Sequence, residues 1–230
     1  MSPRAATASV RRPGRSTPAP ALPTREVILD TAERLFALRG VDGVAVRDLA
    51  REMGLTAPSL YNHFPSKQAL YDAVLERGLH PVLQIVSESW HPGALQPEQM
   101  RATVDRLVTH LANHPHLGRL LQRALLEESG SAQALFARWL SPLYRHGFAV
   151  IRETAVEAGW EPIELPNLAL GLFGMVFGYF ANTAALVRLA KDGDPLSPRA
   201  LAVQRGFLEK AIYRLLGARP RRAVSRRKKS

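Results

Sequence analysis

Apolar residues near the N-terminus recur at the spacing of an amphipathic helix and mark the first element of the chain. Four of them follow one another at i, i+4, i+7 and i+8, namely Ile28, Ala32, Leu35 and Phe36. Thr24 precedes them as a potential N-cap, and Gly40 follows them as a stop signal. The pattern therefore predicts a helix between Thr24 and Gly40 with one buried face.

Two shorter helices follow, separated by a turn that contains glycine. The second helix is predicted over about residues 46–53 and ends at Gly54. Thr56 can cap the third helix, and Pro58 lies in its first turn, where a missing N–H costs little. The third helix ends at Phe64, because the proline that follows pushes this residue out of the α region.

The two short helices form a predicted helix-turn-helix over about residues 45–64, and such a unit lays its second helix in the major groove of DNA. Small, hydroxylic or hydrogen-bonding side chains occupy the outward positions of that helix: Ala57, Ser59, Tyr61, Asn62 and His63. Base edges, thymine methyl groups and phosphates require such side chains. An ordinary three-helix cap with a solvated polar face is the alternative, and the agreement of the pattern over about fifty residues favours DNA binding.

Several short motifs in this span resemble the TetR family of bacterial one-component transcriptional regulators. They are Ala32-Glu-Arg-Leu-Phe36, Gly40, Val46-Arg-Asp-Leu-Ala50, Gly54-Leu-Thr56 and Ser59-Leu-Tyr-Asn-His-Phe-Pro-Ser-Lys67, followed by Leu70. The resemblance implies that the third helix enters the major groove, that Tyr61 and His63 touch the backbone or bases, and that Lys67 binds phosphate. One departure is Ala45, where family members usually place Ser or Thr, so a cap worth roughly 1 kcal/mol is missing.

The position of Lys67 supports a phosphate contact on physical grounds as well. A cation at the N-terminus of a helix opposes the helix dipole, so we expect Lys67 to meet an anion there. Arg47, two residues after the missing cap, is a further candidate. The complete set of predicted DNA contacts is Thr24, Arg25, Arg47, Thr56, Ala57, Pro58, Ser59, Tyr61, Asn62, His63 and Lys67.

Beyond residue 76 the apolar spacing remains helical, and nothing in it predicts a strand. Helices are expected at about 67–89 with a kink at Pro81, 97–113, 116–128, 131–158 with a kink at Pro142, 166–190 and 198–216. Together with the first three, they make about nine helices in an all-α fold. We expect a DNA-binding head at residues 24–76 and a larger ligand-binding and dimerisation body at residues 77–216.

Charge is distributed unevenly along the chain and changes the expected mode of DNA binding. The formal net charge is +11, but residues 1–25 hold five arginines, and residues 217–230 hold five arginines and two lysines, without any acid. Residues 26–76 hold five basic and eight acidic side chains, so the head by itself attracts DNA weakly. Residues 1–23 and 217–230 are predicted to be disordered basic tails, each either an arm along DNA or a solvated extension.

Residues 168–187 form the most apolar stretch and contain no charged side chain. Their length alone would allow a membrane span, but Asn182 and Thr183 interrupt them, and we predict no membrane partner. A helix that is apolar all round belongs in a core or an interface, so we predict a homodimer seam with the last helix across a two-fold axis. The predicted seam residues are Gly171, Gly174, Gly178, Phe207, Ala211 and Leu215.

The body also carries more large apolar side chains than a dimer seam requires. The family resemblance implies that some of them line a pocket for a small, apolar or aromatic effector, and the alternative is a plain core. The candidate pocket residues are Leu83, Trp90, Leu107, Leu111, Leu121, Leu125, Phe136, Trp139, Leu140, Tyr144, Phe148, Phe173 and Phe177.

Three histidines, His110, His114 and His116, raise the question of a metal site. No carboxylate stands beside them at a ligand spacing and the chain has no cysteine, so we favour a helix-end role and predict neither metal nor cofactor. No catalytic motif lies in a convincing context, which predicts that the protein is not an enzyme. The lack of cysteine fits a cytoplasmic protein without disulfides.

The sequence as a whole predicts a homodimeric transcriptional regulator, acting as a repressor. Its partners would be a near-palindromic operator in double-stranded DNA and a small effector that releases the protein from it. An architectural or ligand-independent DNA-binding protein is the alternative.

Overall fold

The structure, a computed structural model, describes residues 24–89, 96–126, 154–189 and 193–217, together with residues 133, 136–142, 145 and 152. Most of these residues are helical or in turns, and none of them lies in a strand. The α-helices are α1 (Arg25–Arg39), α2 (Val46–Glu52), α3 (Ala57–His63), α4 (Lys67–Ser89), α5 (Pro97–Asn113), α6 (Leu117–Leu126), α7 (Leu165–Ala181), α8 (Thr183–Leu189) and α9 (Pro198–Leu216). A π-helical segment, Phe136–Leu140, and a 3-10 turn, Pro162–Glu164, lie between α6 and α7. The predicted all-α fold is confirmed.

Side-chain caps fix the starts of several helices. The Thr24 hydroxyl accepts a hydrogen bond from the Val27 N–H at 3.4 Å, and the Ser66 hydroxyl accepts one from the Ala69 N–H at 3.0 Å. Gly40 ends α1 with a φ of 75°, a conformation that glycine adopts at little cost. The predicted bounds of the first and fourth helices therefore follow from local chemistry.

The head and most of the body share one continuous core. Helix α1 packs against both α4 and α6, α4 packs against α5, and α5 packs against α9. Phe36 and Tyr71 meet edge to face with ring centroids 5.6 Å apart, and both belong to the same cluster of buried residues as Val108 and Leu121 of the body. A movement within the body can therefore reach the head through direct packing.

The predicted helix over residues 166–190 is wrong at one point, because it breaks at Asn182. The side-chain Nδ2 of Asn182 donates to the Gly178 carbonyl at 2.8 Å, and its backbone N–H donates to the same oxygen at 3.1 Å. Such local bonds of asparagine compete with the helical ladder. The predicted helix over residues 131–158 and both tails lie largely outside the described residues.

An apolar surface extends over α7 and α9. The stretch Pro162–Ala181 is long and apolar enough to cross a membrane by length and composition, and 22% of its most apolar window is buried. Leu170 is 59% exposed, Phe207 51% and Val203 69%. A single chain thus leaves uncovered a surface of a kind that normally packs against something.

Candidate nucleic-acid interface

The turn between α2 and α3 sets the angle of the third helix. Gly54 has a φ of 66°, which favours glycine, and the Leu55 N–H donates to the Ala50 carbonyl at 2.8 Å. Leu49 is fully buried and Leu60 is 2% exposed, so apolar contacts hold the two helices together from within. Helix α3 therefore has a defined position on the head.

The beginning of α3 is held by two hydroxyl groups. Thr56 Oγ1 accepts from the Ser59 N–H at 3.3 Å and lies 2.9 Å from Ser59 Oγ. Pro58 occupies the first turn, where its missing N–H leaves no bond unmade. The predicted DNA contacts Thr56 and Ser59 thus also have a structural task, whereas Ala57 is half-buried beside them.

The remaining residues of α3 present a polar surface to solvent. Tyr61 is 47% exposed, and Asn62 and His63 are exposed. Within the described part of the chain, none of these three side chains makes a hydrogen bond or an ion pair. Their donors and acceptors are consequently available to phosphates or base edges.

Arg25 joins the start of α1 to the end of α3. Its guanidinium lies over the ring of Phe64, 5.1 Å from the ring centroid, and Phe64 itself is 4% exposed. The electrons of an aromatic ring attract a cation that lies over its face, so this contact holds the Arg25 guanidinium beside the end of α3. Arg25 and the neighbouring cap Thr24 therefore lie on the same part of the head as α3.

The position of Lys67 at the start of α4 does not require an anion, because its ammonium group already has partners within the head. Its Nζ donates to the carbonyls of Val41 at 2.9 Å and Val44 at 3.3 Å, so the ammonium group ties α4 to the turn before α2. The signal could not be read from local sequence, because these acceptors lie 26 and 23 residues upstream. A phosphate contact by Lys67 stays a prediction, and it would have to be shared with these two carbonyls.

Around α2, the cations differ in whether they have partners. Arg34 pairs with Glu52 at 2.6 Å and Arg51 pairs with Asp48, whereas Arg47 is exposed and has no partner among the described residues. Ala45 makes no side-chain cap, as its sequence predicted. Arg47 is consequently the cation of α2 that is best placed to meet a phosphate.

A buried ionic cluster that the sequence pattern did not predict joins the head to the body. Glu33 Oε2 accepts from Arg77 Nη2 at 2.9 Å and from His114 Nδ1 at 3.0 Å. Burial alone would raise the pKa of Glu33, but its bonds to His114 and Arg77 lower the pKa overall. The signal that could have found it is an acidic stripe on α1, Glu26, Asp30 and Glu33, at i, i+4 and i+7.

The comparisons with known proteins agree with this geometry. The family profile of bacterial regulatory proteins, tetR family, matches residues 28–74. The HTH-type transcriptional repressor KstR2 of Mycolicibacterium smegmatis is 39% identical over 199 residues, which cover 82% of this chain and 89% of that protein. This chain belongs to the TetR family. It is therefore a member of a family of bacterial regulatory proteins, as its motifs predicted.

Two further likenesses differ in their extent. The repressor KstR2 of Rhodococcus jostii is 38% identical over 85 residues, which are 37% of this chain but only 40% of that protein. A crystal structure of a TetR transcriptional regulator from Legionella pneumophila has a TM-score of 0.54 at 20% identity and covers 83% of this chain and 98% of that one. The match to the Rhodococcus repressor covers less than half of that protein. The likeness to the Legionella structure shows that the two chains share a fold.

The predicted effector residues of this TetR-family chain lie mostly in its core. Leu107, Leu111, Leu121, Trp139 and Phe177 are buried in one cluster, with Leu83 and Phe173 packed against it. Leu125 of α6 is 44% exposed, unlike these core residues, and its place in a pocket stays a prediction. Trp90, Tyr144 and Phe148 lie outside the described residues, as do the side chains of Phe136 and Leu140.

The predicted seam residues of this TetR-family chain lie on its uncovered side. Gly171 and Gly174 are exposed, and a Cβ added there or at Gly178 would meet no described atom within 4 Å. Ala211 and Leu215 are half-buried. The small residues of α7 thus leave room for a further helix.

Two of the three candidate histidines, His110 and His114, form hydrogen bonds with protein groups. His110 Nε2 donates to the Gly78 carbonyl at 2.7 Å, and its ring lies 4.7 Å from that of His114. Among the described residues, no group of three or more His, Asp or Glu side chains could hold a metal ion.

Proposed function

We propose that this TetR-family chain is a sequence-specific DNA-binding transcriptional repressor of the cytoplasm. Two copies would bind a near-palindromic operator, and a small, largely apolar effector would release them. The observation that carries the proposal is the exposed face of α3, where Tyr61, Asn62 and His63 have no partner in the described part of the chain. The relatives named above as repressors support the direction of regulation.

Electrostatics favour specific contacts over general attraction. The head, residues 26–76, has five basic and eight acidic side chains, and two of its four arginines, Arg34 and Arg51, are already paired with carboxylates. A surface of this kind gains little from unspecific counterion release, which supplies most non-specific binding. The contacts would come from α3, Arg47 and Arg25, with the basic tails, residues 1–23 and 217–230, as a supplement.

The uncovered apolar surface of α7 and α9 supports a homodimer. Gly171, Gly174 and Gly178 would let the partner's helices approach closely, and Phe207 would pack against them across a two-fold axis. A symmetric dimer presents two α3 helices, so the operator would repeat its half-sites about 34–36 Å apart or at multiples of that distance.

An effector can release the protein only if it binds one dimer geometry better than the other. Helix α4 begins in the head at Lys67 and continues through Pro81 into the body, so a tilt of α4 would change the separation of the two α3 helices. The effector would enter among the apolar side chains of the body near Trp139 and Phe177.

Footprinting on the promoter region around the chain's own gene tests the proposal. We expect a protected near-palindrome, which Tyr61→Ala weakens by at least about tenfold through loss of about 1.4 kcal/mol. Leu38→Ala is the matched control, because Leu38 is 42% exposed on α1 while Tyr61 is 47% exposed on α3. Protection of any duplex without preference would instead support the architectural alternative, and no protection at all would contradict both.

A further inference from the structure

One carboxylate of the head is held from two sides by other parts of the fold. Glu33 of α1 is 2% exposed, and a single oxygen, Oε2, accepts both the Arg77 Nη2 bond at 2.9 Å and the His114 Nδ1 bond at 3.0 Å. Arg77 belongs to α4, and His114 is the C-cap of α5. Three elements, one from the head, one from the body and the helix that joins them, therefore meet at one atom.

Arg77 also reaches the exposed part of α1. Its Nη1 donates to Asp30 Oδ1 at 2.7 Å and to Glu26 Oε2 at 3.2 Å. The side chains of Glu26 and Asp30 are 67% and 70% exposed, so water and salt weaken these two ion pairs. The Glu33 side chain is 3% exposed and the Arg77 side chain 16%, and their pair is screened much less.

The end of α5 is fixed to α4 as well as to α1. His114 must carry its hydrogen on Nδ1 to donate to Glu33, and His110 must carry one on Nε2 to donate to the Gly78 carbonyl of α4 at 2.7 Å. The two rings lie 4.7 Å apart. A rotation of α4 relative to α5 would therefore stretch either the Arg77 bond or the His114 bond to Glu33.

We propose that Glu33 is the positioning residue that sets the angle of the DNA-binding head on the body, with Arg77 and His114 as its two supports. The inference rests on the proposed function, since the angle matters because it places the two α3 helices on the operator. Hydrogen bonds form only within narrow limits of distance and angle, whereas apolar side chains can pack in several ways. A carboxylate that accepts from both α4 and α5 therefore favours one orientation of α1 relative to these two helices.

A distance measurement without DNA tests the positioning directly. The chain has no cysteine, so Asp42→Cys with Glu98→Cys gives one exposed spin label on the head and one on α5. Labelled chains diluted into unlabelled protein report the distance within one chain. We expect Glu33→Gln to shift the distance by about 1–2 Å or to broaden its distribution. Glu52→Gln, which breaks the Arg34 pair inside the head, should leave it unchanged.

Two replacements of His114 separate positioning from general stability. An asparagine places an amide N–H near the position of Nδ1, so His114→Asn should keep the head–body distance and operator affinity within about twofold. His114→Leu removes the donor and should lower operator affinity about fivefold or more, with the same change in distance as Glu33→Gln. Both His114 variants leave the Glu33–Arg77 pair in place. They therefore test the positioning role even if Glu33→Gln does not fold.

The outcomes separate this inference from the proposed function. An unchanged distance in both Glu33→Gln and His114→Leu would overturn the positioning role. An equal effect of Glu52→Gln, or of His114→Asn, would also overturn it, because a general loss of stability would then explain the result. If the wild-type protein binds no DNA while Glu33→Gln and His114→Leu show the expected changes in distance, the proposed function is contradicted and the positioning role is supported.

Discussion

Gly118 of α6 packs closely against the backbone of α7, and adding one methyl group there tests the packing of the body. A Cβ at Gly118 would lie 2.8 Å from the Phe177 carbonyl oxygen and 2.8 Å from the Ala181 backbone nitrogen. Comfortable contacts of carbon are about 3.5–4.0 Å, and the opposing atoms are backbone, so the two helices would have to separate by about 0.5–1 Å. We predict that Gly118→Ala lowers stability.

The size of the effect follows from two opposing terms. Overpacking of this kind lowers the free energy of unfolding by ~1–3 kcal/mol. Replacing glycine by alanine inside a helix raises it by up to ~1 kcal/mol. A net loss of ~1–2 kcal/mol corresponds to a melting temperature lower by about 2–8 °C for a chain of this length. Thermal unfolding followed by circular dichroism, at one protein concentration for all variants, measures it.

Gly206→Ala is the matched control for this experiment. Gly206 also lies inside a helix, but a Cβ there would meet no described atom within 4 Å, so its melting temperature should stay the same or rise. A Gly118→Ala protein that melts at or above the wild-type temperature would refute the close contact between α6 and α7. An equal loss in both variants would refute the reasoning from packing.

Three further predictions concern the head, the apolar surface and the histidines. Lys67→Met removes the donor to two backbone carbonyls, so the free energy of unfolding should fall by ~1–3 kcal/mol in urea titrations, and no change would contradict the structural role. Phe207→Asp places a charge on the apolar surface of α9, and sedimentation should detect monomers, whereas an intact dimer would place the seam elsewhere. Burial holds the pKa of His110 and of His116 below the ordinary 6.5, so as pH falls below 6.5 the unfolded chain binds protons that the folded chain excludes. Urea midpoints should therefore decrease from about pH 7 to pH 5.5, and a flat profile would contradict this.

Local chemistry explains which elements could be predicted from the sequence. The helices over residues 67–89, 97–113 and 198–216 begin and end as predicted, because prolines, caps and apolar spacing within a few residues determine those bounds. The break at Asn182 also has a local cause, the hydrogen bond from its side chain to the Gly178 carbonyl. The apolar residues on both sides of Asn182 nevertheless predicted one uninterrupted helix.

Long-range contacts explain what the sequence could not reveal. The partners of Lys67 lie in a turn more than twenty residues upstream, and Glu33 meets groups 44 and 81 residues away in the chain. Periodicity predicts that a side chain faces inward, but it does not predict which polar group it meets there. A glutamate whose spacing places it next to buried apolar residues is the kind of position at which such a partner should be sought.

The continuous core has a consequence for regulation. Because α1 packs on α6 as well as on α4, a rearrangement of the body can act on the head through two routes. The ionic cluster at Glu33 adds a polar connection of α1 to α4 and to the end of α5. Under the proposed function, a small displacement there would change the distance between the two α3 helices of the dimer.

In vitro selection of bound duplexes from a random DNA library tests the central claim most directly, because it requires no knowledge of the operator. We predict enrichment of a near-palindrome whose half-sites are separated by about one helical turn or a multiple of it, and loss of that enrichment in Tyr61→Ala. A library that remains random after repeated selection, or one that yields the same motif with Tyr61→Ala, would contradict the claim that α3 reads a specific operator.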